Sequence, residues 1–355
     1  MNITVTPALH RKNPRPPDSD LGFGTYFTDH MFLMDFSQDK EWHHARIEPY
    51  GPLSLDPAAQ VLHYNQEVFE GTKAYLQPDG GIALFRPDKN IERMNTSAVR
   101  LAMPTIEPDD FLEAIKAIVL IDKDWLPISE GTSLYIRPTF ISTEASLLVK
   151  PSDTYLFYII LSPVGSYYKE GMNPTRIYAT DEYVRATRGG AGAVKTSGNY
   201  APTLVAAGEA MNRGYTQVLW LDSAEQKYIE EVGTSNIFFL IEDELVTPPL
   251  GGTILPGVTR DSVIQIAKHW KLKIVERPIT IDEVIHGTQN GHLKEVFAAG
   301  TAAVISPVGT IGYRGKDYIV SDGQIGALSQ KLFDEITEIQ YGRREDPFGW
   351  RIQIA

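Results

Sequence analysis

The sequence predicts a mixed α/β protein of two domains, and three observations predict it. At 355 residues the chain exceeds what one core commonly spans. Strand-like and amphipathic helical segments alternate through residues 1–162. A stretch marked by Pro163, Gly165, Gly171 and Pro174 then separates them from a second block of strands and helices. We therefore place a small α/β domain at 1–162, an interdomain linker at 163–175 and a larger domain at 176–355.

Composition narrows the function class. The net charge is −12, which disfavours nucleic acid and anionic membranes as partners. No cysteine is present, so disulfides, thiolate catalysis and cysteine-ligated metals are excluded, and nothing calls for a metal. Residues 1–15 are polar and proline-containing, without the apolar run of a signal peptide, and no long apolar run occurs elsewhere. A cytoplasmic protein is expected.

In chain order, residues 1–20 suggest an irregular arm. Residues 22–36, with Phe23, Tyr26, Phe27, Met31, Phe32 and Met34, suggest a strand interrupted at Thr28-Asp29-His30. Strand signals continue at 45–48 and 53–55. Gln77-Pro78-Asp79-Gly80-Gly81 predicts a hairpin turn into Ile82–Phe85. Arg86-Pro87-Asp88 opens a helix with Ile91, Met94, Ala98 and Leu101 at helical spacing, and Arg93 beside that face. A second helix, Asp109 to Trp125, turns Phe111, Leu112, Ile115 and Val119 inward. Ser133–Arg137 and Tyr155–Leu161 are strands. Beyond the linker, Pro202–Arg213 is helical and Gly214 stops it. Strands follow at 217–221, 236–241, 245–247 and 295–299, with helices from Gly257 and over 326–340.

The stretch carrying the chemistry runs from Gly189 to Tyr200, with Lys195 set among small residues. Burial lowers a lysine's pKa and makes it a nucleophile, so a held lysine suits a Schiff base to a carbonyl cofactor. A solvated loop lysine is the ordinary alternative for this stretch taken alone. Three places resemble phosphate cradles: Gly257-Val258-Thr259 before a helix, Gly300-Thr301-Ala302 after a strand, and Arg93. A capped helix, a plain turn and a snorkelling side chain are their bland counterparts. Together with an activated lysine they describe pyridoxal 5′-phosphate. Its ring nitrogen needs a carboxylate partner, and Glu231 or its neighbour Glu230 could provide one.

Seven motifs then stand in one order and spacing: Phe23-Gly24-Thr25, Phe69-Glu70-Gly71-Thr72-Lys73-Ala74, Tyr135-Ile136-Arg137-Pro138, Lys195-Thr196-Ser197-Gly198-Asn199-Tyr200, Glu231-Val232-Gly233-Thr234-Ser235-Asn236, Leu255-Pro256-Gly257-Val258-Thr259-Arg260 and Gly300-Thr301-Ala302. On these residues the chain resembles the branched-chain amino acid aminotransferases, pyridoxal phosphate enzymes of fold type IV. The resemblance implies a small N-terminal α/β domain, a larger cofactor-binding domain with a barrel-like sheet, and a cofactor between them. It implies reversible amino transfer between leucine, isoleucine or valine and 2-oxoglutarate, in a homodimer with a shared active site.

By the same resemblance Lys195 is the Schiff-base lysine and proton shuttle, Glu231 the ring-nitrogen partner and Tyr200 the group on the ring oxygen. Arg93, Val258, Thr259 and Thr301 would form the phosphate shell. Tyr64, Phe69, Tyr135 and Arg137 would line the substrate pocket, Tyr64 from the other subunit, and the amides of Thr301 and Ala302 would hold the substrate carboxylate. Lys73, the rival lysine, would be structural. Ala303-Val304-Ile305-Ser306 stands where some relatives carry a redox cysteine pair, so no thiol switch is expected.

D-amino acid transaminase and aminodeoxychorismate lyase share cofactor and fold; Tyr135-Ile136-Arg137-Pro138 and the long N-terminal arm argue against them. A serine hydrolase reading rests on Ser166-Tyr167-Tyr168-Lys169 and Lys195-Thr196-Ser197-Gly198, which lie too near one another. A non-catalytic relative that binds metabolites would not need Lys195 and Glu231.

Overall fold

The computed structural model describes residues 1–9, 15–165 and 172–355. The serine of the hydrolase-like Ser166-Tyr167-Tyr168-Lys169 and its lysine lie outside the described residues. The chain divides into two compact units. The first takes the described part of Met1–Tyr167 together with Val194–Ser197 and Glu338–Ala355; the second takes the described part of Tyr168–Ala193 together with Gly198–Thr337.

The first unit is built on a nine-stranded sheet. Its strands are β1 (Thr4–Val5), β2 (His30–Ser37), β3 (Glu41–Pro49), β4 (Glu67–Phe69), β5 (Thr72–Leu76), β6 (Ile82–Phe85), β7 (Ser133–Ser142), β8 (Thr154–Val164) and the C-terminal strand Arg351–Gln353. The order is β1-β3-β2-β8-β7-β5-β6 and then the C-terminal strand, with β4 on β7. The strand expected over 22–36 begins only at His30. Gly22 and Gly24 sit at φ +58° and +69°, angles that turn the chain and that no strand uses.

Helix α1 (Gln60–Tyr64) ends on Asn65 in the left-handed region. Helix α2 (Pro87–Arg100) starts with proline at its first turn, where the missing amide hydrogen costs nothing. Helix α3 (Pro108–Ile121) repeats that start and adds Asp109 and Asp110, which suit the positive helix end. It stops short of the expected Trp125, which sits in a separate 3₁₀ turn over Lys123–Trp125. Ile91, Met94, Ala98, Phe111, Ile115, Ile118 and Val119 pack on Phe32, Ile47, Leu84, Leu134, Ile136 and Phe157 of the sheet. Each large side chain so buried contributes about 1.5–3 kcal/mol before chain entropy is set against it.

The second unit holds the other nine-stranded sheet. Its members are β9 (Thr175–Ala179), β10 (Gln217–Leu221), β11 (Ile229–Val232), β12 (Asn236–Ile241), β13 (Glu244–Thr247), β14 (Lys273–Glu276), β15 (Leu293–Gly300), β16 (Val304–Tyr313) and β17 (Lys316–Ile319). They run β11-β10-β9-β16-β15-β12-β13-β14, with β17 on β16. The first and last strands of that path come close. Ile229 N donates to Ile279 O and Ile281 N to Lys227 O, both at 2.9 Å, so the start of β11 bonds to chain just past β14. The sheet is thus curled and barrel-like, as expected.

Helices α4 (Leu204–Asn212), α5 (Val258–His269), α6 (Ile281–Asn290) and α7 (Ala327–Gln340) complete the elements. Gly214 beyond α4 takes φ +80°, which is why the helix stops there. The core of this unit gathers Leu219, Leu221, Ile237, Phe239, Val246, Val284, Val296 and Ile311.

Candidate active site

The residues singled out in the sequence fall into two groups, one in each unit. The first centres on Lys195. Its residue group, Val194–Ser197, belongs with the first unit because its backbone is tied there. Lys195 N donates to Ser97 Oγ of α2 at 3.1 Å, and Phe69 N of β4 donates to Lys195 O at 3.1 Å. Loss of solvent brings the Lys195 ammonium down from 10.5 to about 8, and the Arg93 charge adds to that. Glu70 and Tyr135 pull the other way. Nζ also lies 5.1 Å from the centre of the Phe69 ring.

Arg93 does not snorkel. It is 7% exposed and grips Glu70 with both prongs, Nε to Oε1 at 2.7 Å and Nη2 to Oε2 at 2.8 Å. Glu70 also accepts from Asn90 Nδ2 at 2.8 Å and from Gly71 N at 3.1 Å. Burial raises the Glu70 carboxyl, yet Arg93's charge and hydrogen bonds outweigh it and hold the group below its usual range. Motif spacing gives no sign of this clamp, since it marks Glu70 without naming its partner.

Phe69, Tyr135 and Arg137 stand together. The Arg137 guanidinium lies 4.8 Å from the Phe69 ring centre and 5.2 Å from that of Tyr135, and Nη2 donates to Tyr135 Oη at 3.0 Å. Phe69 therefore has a cation from Arg137 and one from Lys195 near its ring. Tyr135 packs edge-on against Phe23. Gly71 allows this: a Cβ there would fall 2.0 Å from Tyr135 Oη. Tyr64 is set apart from this group; it is 41% exposed and donates to Leu147 O at 2.6 Å. Lys73 on β5 pairs in register with Tyr135, and burial brings it, too, to about 8.

The second group centres on Glu231 of β11. Its Oε2 lies 2.6 Å from Arg185 Nη2, and Asn236 Nδ2 donates to Oε1 at 3.1 Å. Asn236 Nδ2 also donates to Leu255 O at 3.0 Å. Glu230, the competing choice, is also buried, but burial raises its carboxyl, and its Oε2 has no hydrogen-bond partner among the described residues.

Gly257 precedes α5 without a side-chain cap, and the first intrahelical bond comes from Asp261 N to Gly257 O at 3.0 Å. The amides of Val258, Thr259 and Arg260 lie before that bond, at the positive helix end. A Cβ on Gly257 would fall 2.0 Å from Asn236 Oδ1, and one on Gly300 would fall 2.8 Å from Ser235 Oγ. The 231–236 turn therefore touches both the α5 entry and the Gly300-Thr301-Ala302 turn. That turn leads to Val304 at φ +61°, uncommon for a β-branched residue and a mark of a fixed backbone. Tyr200 precedes a short 3₁₀ turn, and its carbonyl accepts from Thr203 N at 3.0 Å.

Sequence reasoning overlooked Arg185. It stands ten positions before Lys195, near Arg188, and nothing in composition separates the two. In the structure Arg188 is exposed, whereas Arg185 reaches inward.

The family described as amino-transferase class IV matches residues 67–311. Branched-chain-amino-acid aminotransferase 2 of Bacillus subtilis (strain 168) is 54% identical over 344 residues, 97% of this chain and 95% of that protein. Among solved structures, the Escherichia coli branched-chain amino acid aminotransferase superposes with a TM-score of 0.77 at 26% identity, covering 92% of this chain and 99% of that one. The branched-chain amino acid aminotransferase from Thermobaculum terrenum in its PLP-form shares the fold, with a TM-score of 0.74 at 24% identity, covering 91% of this chain and 98% of that one.

Proposed function

The chain belongs to the amino-transferase class IV family, and we propose that it moves the amino group reversibly between leucine, isoleucine or valine and 2-oxoglutarate, using pyridoxal 5′-phosphate. The observation that carries this reading is Lys195, an amine whose pKa is brought to about 8 in a niche shared with Arg93, Phe69 and Tyr135. An ordinary lysine holds almost no free amine at neutral pH; at about 8, a usable fraction is neutral.

The residues suit a phosphorylated aldehyde. Lys195 would hold it covalently, and Glu231 would face the ring nitrogen with Tyr200 at the ring oxygen. Arg93, Val258, Thr259 and Thr301 would hold the phosphate. A helix of 12 residues begins at Val258, and its first-turn amides favour an anion. The glycines at 257 and 300 fit the same purpose, since side chains there would collide with Asn236 and Ser235. What the bound group supplies is a sink for the electrons left behind when the substrate's α-proton departs.

This chain's residues do the rest. Lys195 Nζ takes the α-proton as general base and gives it back, which a pKa near working pH favours. Glu231 keeps a proton on the ring nitrogen. Phe69, Tyr135 and Arg137 receive the substrate side chain, and the Thr301 and Ala302 amides its carboxylate. Phe69 and Tyr135 offer apolar faces to leucine, isoleucine or valine. Arg137, aimed at Tyr135 Oη, has a charge for the second carboxylate of glutamate or 2-oxoglutarate. An unpaired buried charge is costly, so a pocket that accepts both substrates needs such a movable cation.

We read the working form as a homodimer in which Tyr64 serves the other copy's site, in a reducing, cytoplasmic setting that suits a chain without cysteine. Tyr64's exposure supports this, as do the exposed apolar side chains Leu62, Leu147, Leu148 and Val149. Among the described residues no helix is long and apolar enough to cross a membrane.

A donor panel tests the reading. With 2-oxoglutarate as acceptor, the purified protein should turn over the three branched-chain L-amino acids. Turnover confined to D-amino acids, or release of a product from aminodeoxychorismate, would replace it with one of the related activities.

A further inference from the structure

We propose that Arg185 is a positioning residue that keeps Glu231 ionised and aimed, so that the ring nitrogen retains its proton instead of yielding it to the carboxylate. This rests on the reading of Glu231 as the ring-nitrogen partner.

β11 buries two successive carboxylates, Glu230 and Glu231, at 7% and 3% exposure. The guanidinium of Arg185 serves them unequally. Its Nη2 meets Glu231 Oε2 at 2.6 Å, with the two side chains 8% and 4% exposed. The same nitrogen donates to Gly192 O at 3.0 Å and to Thr253 O. Arg185 is therefore held by two backbone carbonyls while it faces the carboxylate, and it cannot wander without losing both. Asn236 holds the other Glu231 oxygen at 3.1 Å. Glu231 is thus fixed at both oxygens, one of them against a charge.

Glu230 experiences the opposite. Burial raises its carboxyl; the Thr253 hydroxyl and the Arg185 charge oppose that, and the charge of Asp222 adds to it. Its Oε2 is buried with no hydrogen-bond partner among the described residues. One cation beside two carboxylates has been given to Glu231.

The consequence is chemical. A proton shared by a pyridine nitrogen and a carboxylate stays on the nitrogen only while the carboxylate is the weaker base. Burial alone makes a carboxylate a stronger base, whereas an adjacent arginine lowers its pKa by about 1–3 units. In a buried niche without Arg185, Glu231 would compete for the proton, and the electron sink would weaken. A Lys in this place would keep the charge but, as a point charge on a flexible stem, would hold Glu231 less firmly aimed.

Arg185→Met, Arg185→Lys, Glu231→Gln and the two double variants test this. The first readout needs no cofactor. In apoprotein labelled with ¹³C at the glutamate carboxyl carbons, the Glu231 resonance is identified by its absence from Glu231→Gln. We expect it to titrate at least about one pH unit higher in Arg185→Met than in the parent, with Arg185→Lys between them. No displacement overturns the proposal.

The second readout is the half-reaction with leucine in the cofactor-loaded enzyme. Arg185→Met should slow it by on the order of 10- to 100-fold, as expected for a charged hydrogen bond, and should move the acid limb of the pH profile upward. The same substitution should cost less than about threefold in the Glu231→Gln background, because the effect runs through Glu231. Equal losses in both backgrounds make Arg185 a brace and overturn the proposal. If Arg185→Met does not fold, Arg185→Lys carries both readouts on its own. Undiminished activity of Glu231→Gln overturns the reading of Glu231 and this proposal with it, whereas an absent titration shift overturns this proposal alone.

Discussion

The surroundings of Lys195 in the first unit and of Glu231 in the second treat an ionisable group in opposite ways. Lys195 is stripped of water and has Arg93 close by, so its charged form is disfavoured and its amine is brought to about 8. Glu70, held by Arg93 through two hydrogen bonds, offsets this only in part. Glu231 instead receives the full partner, with Arg185 Nη2 at 2.6 Å. The difference teaches that burial alone does not set protonation. Loss of solvent and the charge set beside each group act together. The amine proposed as the base has a cation beside it that disfavours its charged form, and the carboxylate proposed for the ring nitrogen has one that favours its charged form.

Removing Lys195 should have the largest effect. Lys195→Ala is expected to cut turnover by at least about 10⁴-fold, since residues acting as one catalytic unit show losses of that order. The fold should survive, and steady-state assay beside circular dichroism checks both. Glu231→Gln comes next. It should slow α-proton abstraction by about 10²- to 10³-fold, the range of a lost electrostatic stabiliser, while cofactor binding persists. Single-turnover absorbance reads it. Glu230→Gln should stay near the parent, and reversed results would move the role to Glu230.

Arg137→Met should discriminate. We expect kcat/KM for glutamate and 2-oxoglutarate to fall about 10- to 100-fold more than for leucine. Equal losses would mean that Arg137 only braces Tyr135 and Phe69. The smallest effects are on stability. Gly71→Ala pushes Tyr135 aside and should cost about 1–3 kcal/mol in urea unfolding, the range for overpacking. Lys73 and Lys195 both sit near 8 when folded against an ordinary 10.5. Between these values the unfolded chain binds more protons, so stability should rise as pH climbs from about 8 towards 10.5. The expected rise is on the order of 3 kcal/mol for each lysine. Lys73→Met should remove about half of it; an unchanged slope would mean that Lys73 contributes nothing to it.

Much of the fold was legible because its signals are local. Pro87 and Pro108 start helices, Gly214 stops one, and the apolar spacing of Ile91, Met94 and Ala98 marks the buried face of α2. The mixed two-domain class and the curled second sheet follow from such elements and from the resemblance. The strand expected from Phe23 failed because aromatic residues outweighed Gly22 and Gly24, whose positive φ turns the chain. Long-range contacts were less legible. The sequence groups Phe69, Glu70 and Gly71, yet spacing could not say that Glu70 holds Arg93, 23 positions away. Arg185 and Glu231 are separated by a loop, a helix and a strand, and no periodicity links them. Hydrophobic pattern tells which face is buried, but not which charges are paired there.

The central claim is that Lys195 carries the chemistry, and peptide mapping after borohydride reduction tests it most directly. The purified protein, loaded with pyridoxal 5′-phosphate, would be reduced, digested and mapped by mass spectrometry. We expect a single phosphopyridoxyl group, on the peptide containing Lys195, whose formation rises with pH through about 8. A phosphopyridoxyl group on Lys73, or none on either lysine, would contradict it.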